Sequence, residues 1–240
     1  LVLPLSLFFR HRPEQYGYLP DGETDEAAYP GGGGVRKTVE VQVKVKQALK
    51  SGTFWHLALA RMYHMMATAA ITTHVMPYLS TISVSRARSS LVATAIPLMS
   101  VIGRFGFGWL GDRTNKRLVA TGSFIMIGSG VLCFAYSSAA GIWLLVPFIL
   151  LLGVGYGSSN SLLPSLGREY FGRNRFGSIY GVVEGIGTAG NMMGPIIAGW
   201  VYDSWGTYQP VWFFLAGLAV VAIISIFTIK PLTNPAGPDG

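Results

Sequence analysis

The chain has 240 residues, half of them hydrophobic and only 12% charged, with a net charge of +7. A water-soluble domain carries roughly 25% charged residues, so this chain lacks the polar groups to cover a water-facing surface. The composition excludes an ordinary soluble domain and fits a polytopic membrane protein; the single cysteine, Cys133, excludes an internal disulfide framework.

Residues 1–9, LVLPLSLFF, are apolar but too short to cross a hydrocarbon core of ~30 Å, which takes ~20 helical residues. They read as the tail of a truncated transmembrane helix, so the sequence is expected to be a fragment. Residues 10–53 are a polar, turn-rich linker that includes YPGGGG at 29–34. Within it, TVEVQVKVKQALK at 38–50 admits two readings. Valines at 39, 41, 43 and 45 alternate with polar residues, as in a strand. Its place before an apolar run suits an interfacial amphipathic helix instead.

Six apolar runs follow, at about 54–79, 89–111, 117–137, 142–166, 176–201 and 209–230. Each is long enough to cross a bilayer as a tilted helix. Barrel strands would be about half that length and alternate in polarity. The expected fold is therefore all-α: a six-helix transmembrane bundle over 54–230, with the truncated helix before it and a tail at 231–240. With six spans, 14 of the 18 Lys and Arg fall on the side of the linker and C-terminus, and only Arg86 and Arg88 on the other. The positive-inside bias places linker and tail in the cytoplasm.

The two remaining cations, Arg61 and Arg104, lie inside spans, as does Glu184. A central arginine costs about 2.5–3.5 kcal/mol on insertion scales, so such groups face a cavity or a partner. Each belongs to a polar stripe at helical spacing: Arg61, His64, Thr68 and Thr72; Ser100 and Arg104; Glu184, Thr188 and Asn191. A fourth stripe is Gly153, Gly157, Asn160 and Pro164. At ~1.5 Å per residue the three charges lie roughly 10–12 Å from the cytoplasmic end, so one shared site is expected. Gly177, Gly181 and Gly185, and Gly190 and Gly194, have the small-xxx-small spacing of close helix packing. No HExxH or paired-carboxylate constellation is present, which argues against an enzyme, and no metal, cofactor or nucleic acid is expected.

The loop GWLGDRTNKR, residues 108–117, resembles the signature loop of the major facilitator superfamily in Gly108, Leu110, Asp112, Arg113, Lys116 and Arg117; Asn115 stands where glycine is usual. RHRPEQYGYLPDG is similar to the start of the central cytoplasmic loop of bacterial members, and GPIIAGWVYDSWGTY at 194–208 to the end of their eleventh helix. The resemblance implies helices seven to twelve of a twelve-helix carrier that works by alternating access, with the N-terminal half missing. It implies a bacterial inner-membrane location and a conformational latch made by Gly108, Asp112, Arg113, Lys116 and Arg117.

The spacing of Arg104, Gly108 and Asp112 resembles the monocarboxylate transporter branch, where that arginine is implicated in substrate binding. Ser100 stands where animal members have aspartate, and Glu184 lies in the span where the oxalate–formate antiporter branch has a lysine. The implied solute is a small organic anion, a monocarboxylate, bound by Arg104, Arg61, Asn160, Asn191 and Thr68, with Glu184 or His64 carrying a proton. A non-transporting sensor or scaffold on the same fold is the alternative.

Overall fold

The computed structural model describes residues 45–172 and 176–230; the expectations for residues 1–44 and 231–240 lie outside it. The described residues form seven α-helices and no strand. A short helix α1, Val45–Lys50, precedes six long ones: α2 Gly52–Thr81, α3 Arg86–Arg113, α4 Lys116–Ala140, α5 Leu145–Phe171, α6 Phe176–Trp205 and α7 Gln209–Thr228. Of the two readings for 38–50, the described part is helical.

The six long helices coincide with the six apolar runs and extend beyond most of them by a few residues. The extensions are capped turns that a hydropathy reading misses. Ser51 accepts from the Phe54 N–H at the start of α2, and Asn115 accepts from the Arg117 N–H at the start of α4. Helices α5 and α6 each stop at a glycine with positive φ, Gly172 (78°) and Gly206 (68°), a backbone shape that an L side chain resists. Pro210 lies in the first turn of α7, where its missing N–H costs nothing.

By length and composition α3, α4, α5 and α7 are apolar enough to cross a membrane. The two 30-residue helices α2 and α6 fall short of that apolar character, because they carry Arg61, His64 and the threonines, and Glu184, Thr188 and Asn191. These two helices pack along each other, while α3 packs along α5; α4 lies against α5 and α7, and α7 against α2. Shifting each helix by three positions maps one set of pairings onto the other, so α2–α4 and α5–α7 act as two interlocked repeats.

The long pairings are held by backbone proximity. A Cβ at Gly190 or Gly194 would overlap the carbonyl oxygens of Met62 or Met66, and one at Gly157 or Gly103 those of Ser100 or Val154. Without a hydrophobic driving force between helices in lipid, such close approach supplies the dispersion contacts. The other glycine stripe behaves differently: a Cβ at Gly177, Gly181 or Gly185 would meet nothing within 4 Å. The expectation that these three pack helices is corrected for the described residues, because they lie on the other side of α6 from its contact with α2. One part of the largely aliphatic core is an aromatic cluster. Phe134 stacks on Phe148 with centroids 4.3 Å apart, and Tyr78 and Trp212 close around them.

Candidate functional site

Arg61 is the centre of the polar interior. It sits on α2 and is only 8% exposed. Its Nη2 donates to Glu184 Oε2 on α6 at 2.9 Å. Its Nη1 donates to Asn160 Oδ1 on α5 at 3.0 Å and lies 3.3 Å from His64 Nδ1. A guanidinium has no lone pair to offer, so His64 Nδ1 accepts and the ring proton of the neutral imidazole is assigned to Nε2. The His64 ring stacks on Tyr156 of α5, with centroids 5.4 Å apart and planes 20° apart. Arg61 Nε is buried and has no hydrogen-bond partner.

Beside this cluster lies a cavity of about 160 Å³, lined by His64, Met65, Thr68, Ala69, Thr72, Tyr156, Asn160 and Asn191. The hydroxyls of Thr68 and Thr72 donate to the carbonyls of His64 and Thr68 on their own helix. Their protons are thereby committed, and their oxygens remain as acceptors. Asn160 accepts from Arg61 through Oδ1, which leaves its amide NH₂ as a donor. The cavity thus offers neutral donors and acceptors beside an arginine whose charge Glu184 balances.

The structure therefore brings together six of the residues expected at the site: Arg61, His64, Thr68, Asn160, Glu184 and Asn191. It does not bring in Arg104. That side chain is exposed on α3 and makes no hydrogen bond or ion pair among the described residues; only its backbone oxygen is engaged, by the Ser161 hydroxyl at 3.2 Å. Of the three charges expected to share one site, Arg61 and Glu184 are paired, and the exposed Arg104 side chain bonds to neither among the described residues. Ser100 is buried and donates to its own helix at Pro97, so it does not take an aspartate's place as a partner for Arg104.

The fourth stripe also divides. Gly153 and Gly157 press against α3, and Asn160 alone turns to Arg61. Tyr156 was missed in the sequence, since one aromatic in an apolar helix carries no signal of its own; its spacing of four from Asn160 is the clue.

The second charged cluster is at the α3–α4 turn. Lys116 Nζ lies 3.9 Å from Asp112 Oδ1 and 3.5 Å from Glu169 Oε2 at the end of α5. Arg113 lies over the Trp109 ring at 4.2 Å. Arg117 donates to the Ile229 carbonyl at 3.2 Å, tying the start of α4 to the end of α7. A Cβ at Gly108 would come no nearer than 4.0 Å to its neighbour Ser161. Asn115, the departure from the usual glycine, is the α4 N-cap. Glu169 is the residue the loop motif does not contain, and its place beside Arg168 at a span end was its only trace in sequence.

The relatives agree with this architecture. A sequence profile described as Major Facilitator Superfamily matches residues 1–181 and also 57–239. Zebrafish (Danio rerio) monocarboxylate transporter 12-B is 28% identical over 152 residues, covering 62% of this chain and 31% of that protein. Multidrug resistance protein MdtG of Escherichia coli is 27% identical over 151 residues, covering 61% of this chain and 35% of that protein. The chain spans about a third of the length of these curated relatives. In structure it resembles the E. coli fucose:proton symporter FucP, with a TM-score of 0.64 at 19% identity, over 78% of this chain and 46% of that one. A structure from work on proton-dependent oligopeptide transporters gives 0.66 at 15% identity, over 78% and 44%. Family and apolar helices together make this an integral membrane protein of a class that moves small molecules and is not enzymatic. The chain belongs to the major facilitator superfamily.

Proposed function

We propose that the chain is the C-terminal six-helix half of a secondary active transporter that carries a small organic anion, a monocarboxylate, by alternating access. The observation that carries this reading is the pairing of a buried arginine on α2 with a carboxylate on α6, next to a cavity lined by neutral donors and acceptors of α2, α5 and α6. Ionisable groups at such depth mark solute and proton pathways. Of the two expected proton carriers the geometry favours Glu184, because His64 already accepts from Arg61. Arg104, exposed on α3, serves as the cation that draws the anion toward the site. Lys116, Asp112 and Glu169, with Gly108, Arg113 and Arg117, form a latch that rearranges as the two halves rock.

The proposed organisation is a cytoplasmic linker at 10–53, six spans within 54–230 and a cytoplasmic tail at 231–240. What supports the orientation is the Lys and Arg bias; what supports a bacterial inner membrane is the likeness of the linker's start to bacterial members. Uptake of labelled lactate, pyruvate, formate and oxalate into proteoliposomes holding the full-length protein tests the function. Saturable uptake of one of them, strongly reduced in Arg104→Ala, is expected. Absence of uptake with retained partner binding would instead favour the sensor or scaffold, and normal uptake by Arg104→Ala would remove that residue's role.

A further inference from the structure

We infer that the bundle carries a second solute site on the side away from the linker: a cavity between the end of α2 and the start of α3, where Arg86 receives a small organic anion before it reaches the cavity beside His64. This rests on the anion reading above and goes beyond it, since it gives a separate site to residues that reading leaves without a role.

The cavity measures about 360 Å³, against about 160 Å³ for the one beside His64. It is lined by Met76, Pro77 and Ser80 of α2, by Val84 of the connection, and by Arg86 and Ser89 of α3. These residues suit an anion with a short carbon chain. Met76, Pro77 and Val84 offer an apolar wall, and none of the described lining residues is acidic. The Arg86 side chain is exposed and makes no hydrogen bond or ion pair among the described residues; only its backbone oxygen is engaged, by the Ser90 hydroxyl at 2.9 Å. Ser89 donates to the Ser85 carbonyl at 3.2 Å, which leaves Arg86 and the exposed Ser80 hydroxyl as the donors for a carboxylate. A guanidinium can hold a carboxylate by two parallel hydrogen bonds.

Nothing in the fold rewards a cation at this place. The first turn of α3 has no acidic residue, although the helix dipole favours negative charge there, and it carries Arg86 and Arg88 instead. With six spans, these two are also the only Lys or Arg on the side that the positive-inside bias keeps poor in them. An anion to be bound accounts for cations kept against both trends.

The position suits a path inward. Thr72 lines the cavity beside His64, and Met76 lines the outer one. They lie one turn apart on the same face of α2, ~6 Å along its axis. An anion released by Arg86 therefore meets the second cavity next along the same helix.

The test is protection of a thiol. In the full-length protein with its other cysteines replaced, Ser80→Cys puts an exposed, nearly isosteric thiol at the outer cavity, and Thr72→Cys marks the inner one. Each is labelled with a membrane-impermeant maleimide in phosphatidylcholine vesicles, with rising lactate or its uncharged analogue lactamide. Lactate is expected to slow labelling at both positions, and lactamide to leave Ser80→Cys unprotected. Arg86→Gln is expected to raise the lactate concentration for half-protection of Ser80→Cys tenfold or more and that of Thr72→Cys less than threefold, with Arg86→Lys restoring most of the loss. Protection of Ser80→Cys that Arg86→Gln leaves unchanged comes from closure over a loaded inner cavity and overturns the inference. If Arg86→Gln fails to fold, equal protection of Ser80→Cys by lactate and lactamide overturns it as well. Labelling of Ser80→Cys that is slowed by phosphatidylglycerol vesicles but not by lactate assigns the cavity to a lipid head group, against the inference. Protection of Thr72→Cys alone removes the outer site and keeps the anion reading; protection of neither removes both.

Discussion

The pair at the centre of the site makes a quantitative claim about stability. Arg61 is nearly buried, while the Glu184 side chain is one-third exposed and 2.9 Å away. Exposed pairs contribute about 0–1 kcal/mol, and breaking a fully buried pair costs about 3–5 kcal/mol. A half-screened pair falls between, at about 1–3 kcal/mol. Arg61→Met also removes the hydrogen bond to Asn160, worth about 1 kcal/mol, and strands the carboxylate. Glu184→Leu strands the guanidinium. Each single variant is therefore expected to lose about 2–4 kcal/mol, and the double variant less than the sum, by a coupling energy of about 1–3 kcal/mol. Reversible unfolding in mixed micelles at pH 7, read by tryptophan fluorescence, measures all four corners of the cycle. A coupling energy below about 0.3 kcal/mol, the scatter of additive sites, would refute the ion pair as described.

Other consequences follow from the packing and the turn. Gly157→Val and Gly190→Val force a side chain into the facing carbonyl oxygens and are expected to cost more than about 3 kcal/mol or to abolish the folded state, whereas Gly181→Ala, with nothing within 4 Å, is expected to be neutral or to stabilise by up to about 1 kcal/mol; yield and melting temperature of the three variants check this. Lys116→Ala and Glu169→Gln are each expected to change stability by less than about 1 kcal/mol, because both groups are partly exposed, yet to alter transport rate alike, with no further change in the double variant. Additive rate effects would separate Glu169 from the latch. Arg104→Ala is expected to melt as wild type does, since its side chain holds nothing in the fold; a large loss of stability would show a structural role that the exposed position does not provide.

How much of this could be read from residues alone varies with the kind of signal. The six long helices were legible because a run of ~20 apolar residues has one economical conformation in lipid, where every backbone group must bond internally. Their ends were not, because Ser51, Asn115 and Gly172 act through local capping that hydropathy does not see. The meeting of Arg61, His64, Glu184, Asn160, Thr68 and Asn191 was legible as stripes at spacings of three and four. Such stripes tell which residues of one helix share a face, but not which faces of different helices meet. That is why the stripes alone do not say whether Arg104, exposed on α3, meets Arg61. The same gap explains the glycines. Gly187, Gly190 and Gly194, spaced three and four apart, touch α2, while a Cβ at Gly177, Gly181 or Gly185, spaced four apart, would meet nothing within 4 Å. Spacing makes a smooth face; only the partner's position gives it a use.

The most direct test of a solute site between α2, α5 and α6 is protection from labelling. In a Cys133→Ser background, Thr72→Cys and Asn191→Cys place thiols at the cavity, and Leu132→Cys places one on the exposed apolar face of α4. A membrane-impermeant maleimide is expected to label Thr72→Cys and Asn191→Cys from water, several-fold more slowly with saturating lactate at pH 5.5, and to leave Leu132→Cys unlabelled. Unchanged labelling of both cavity positions in a variant that still transports lactate would contradict the site.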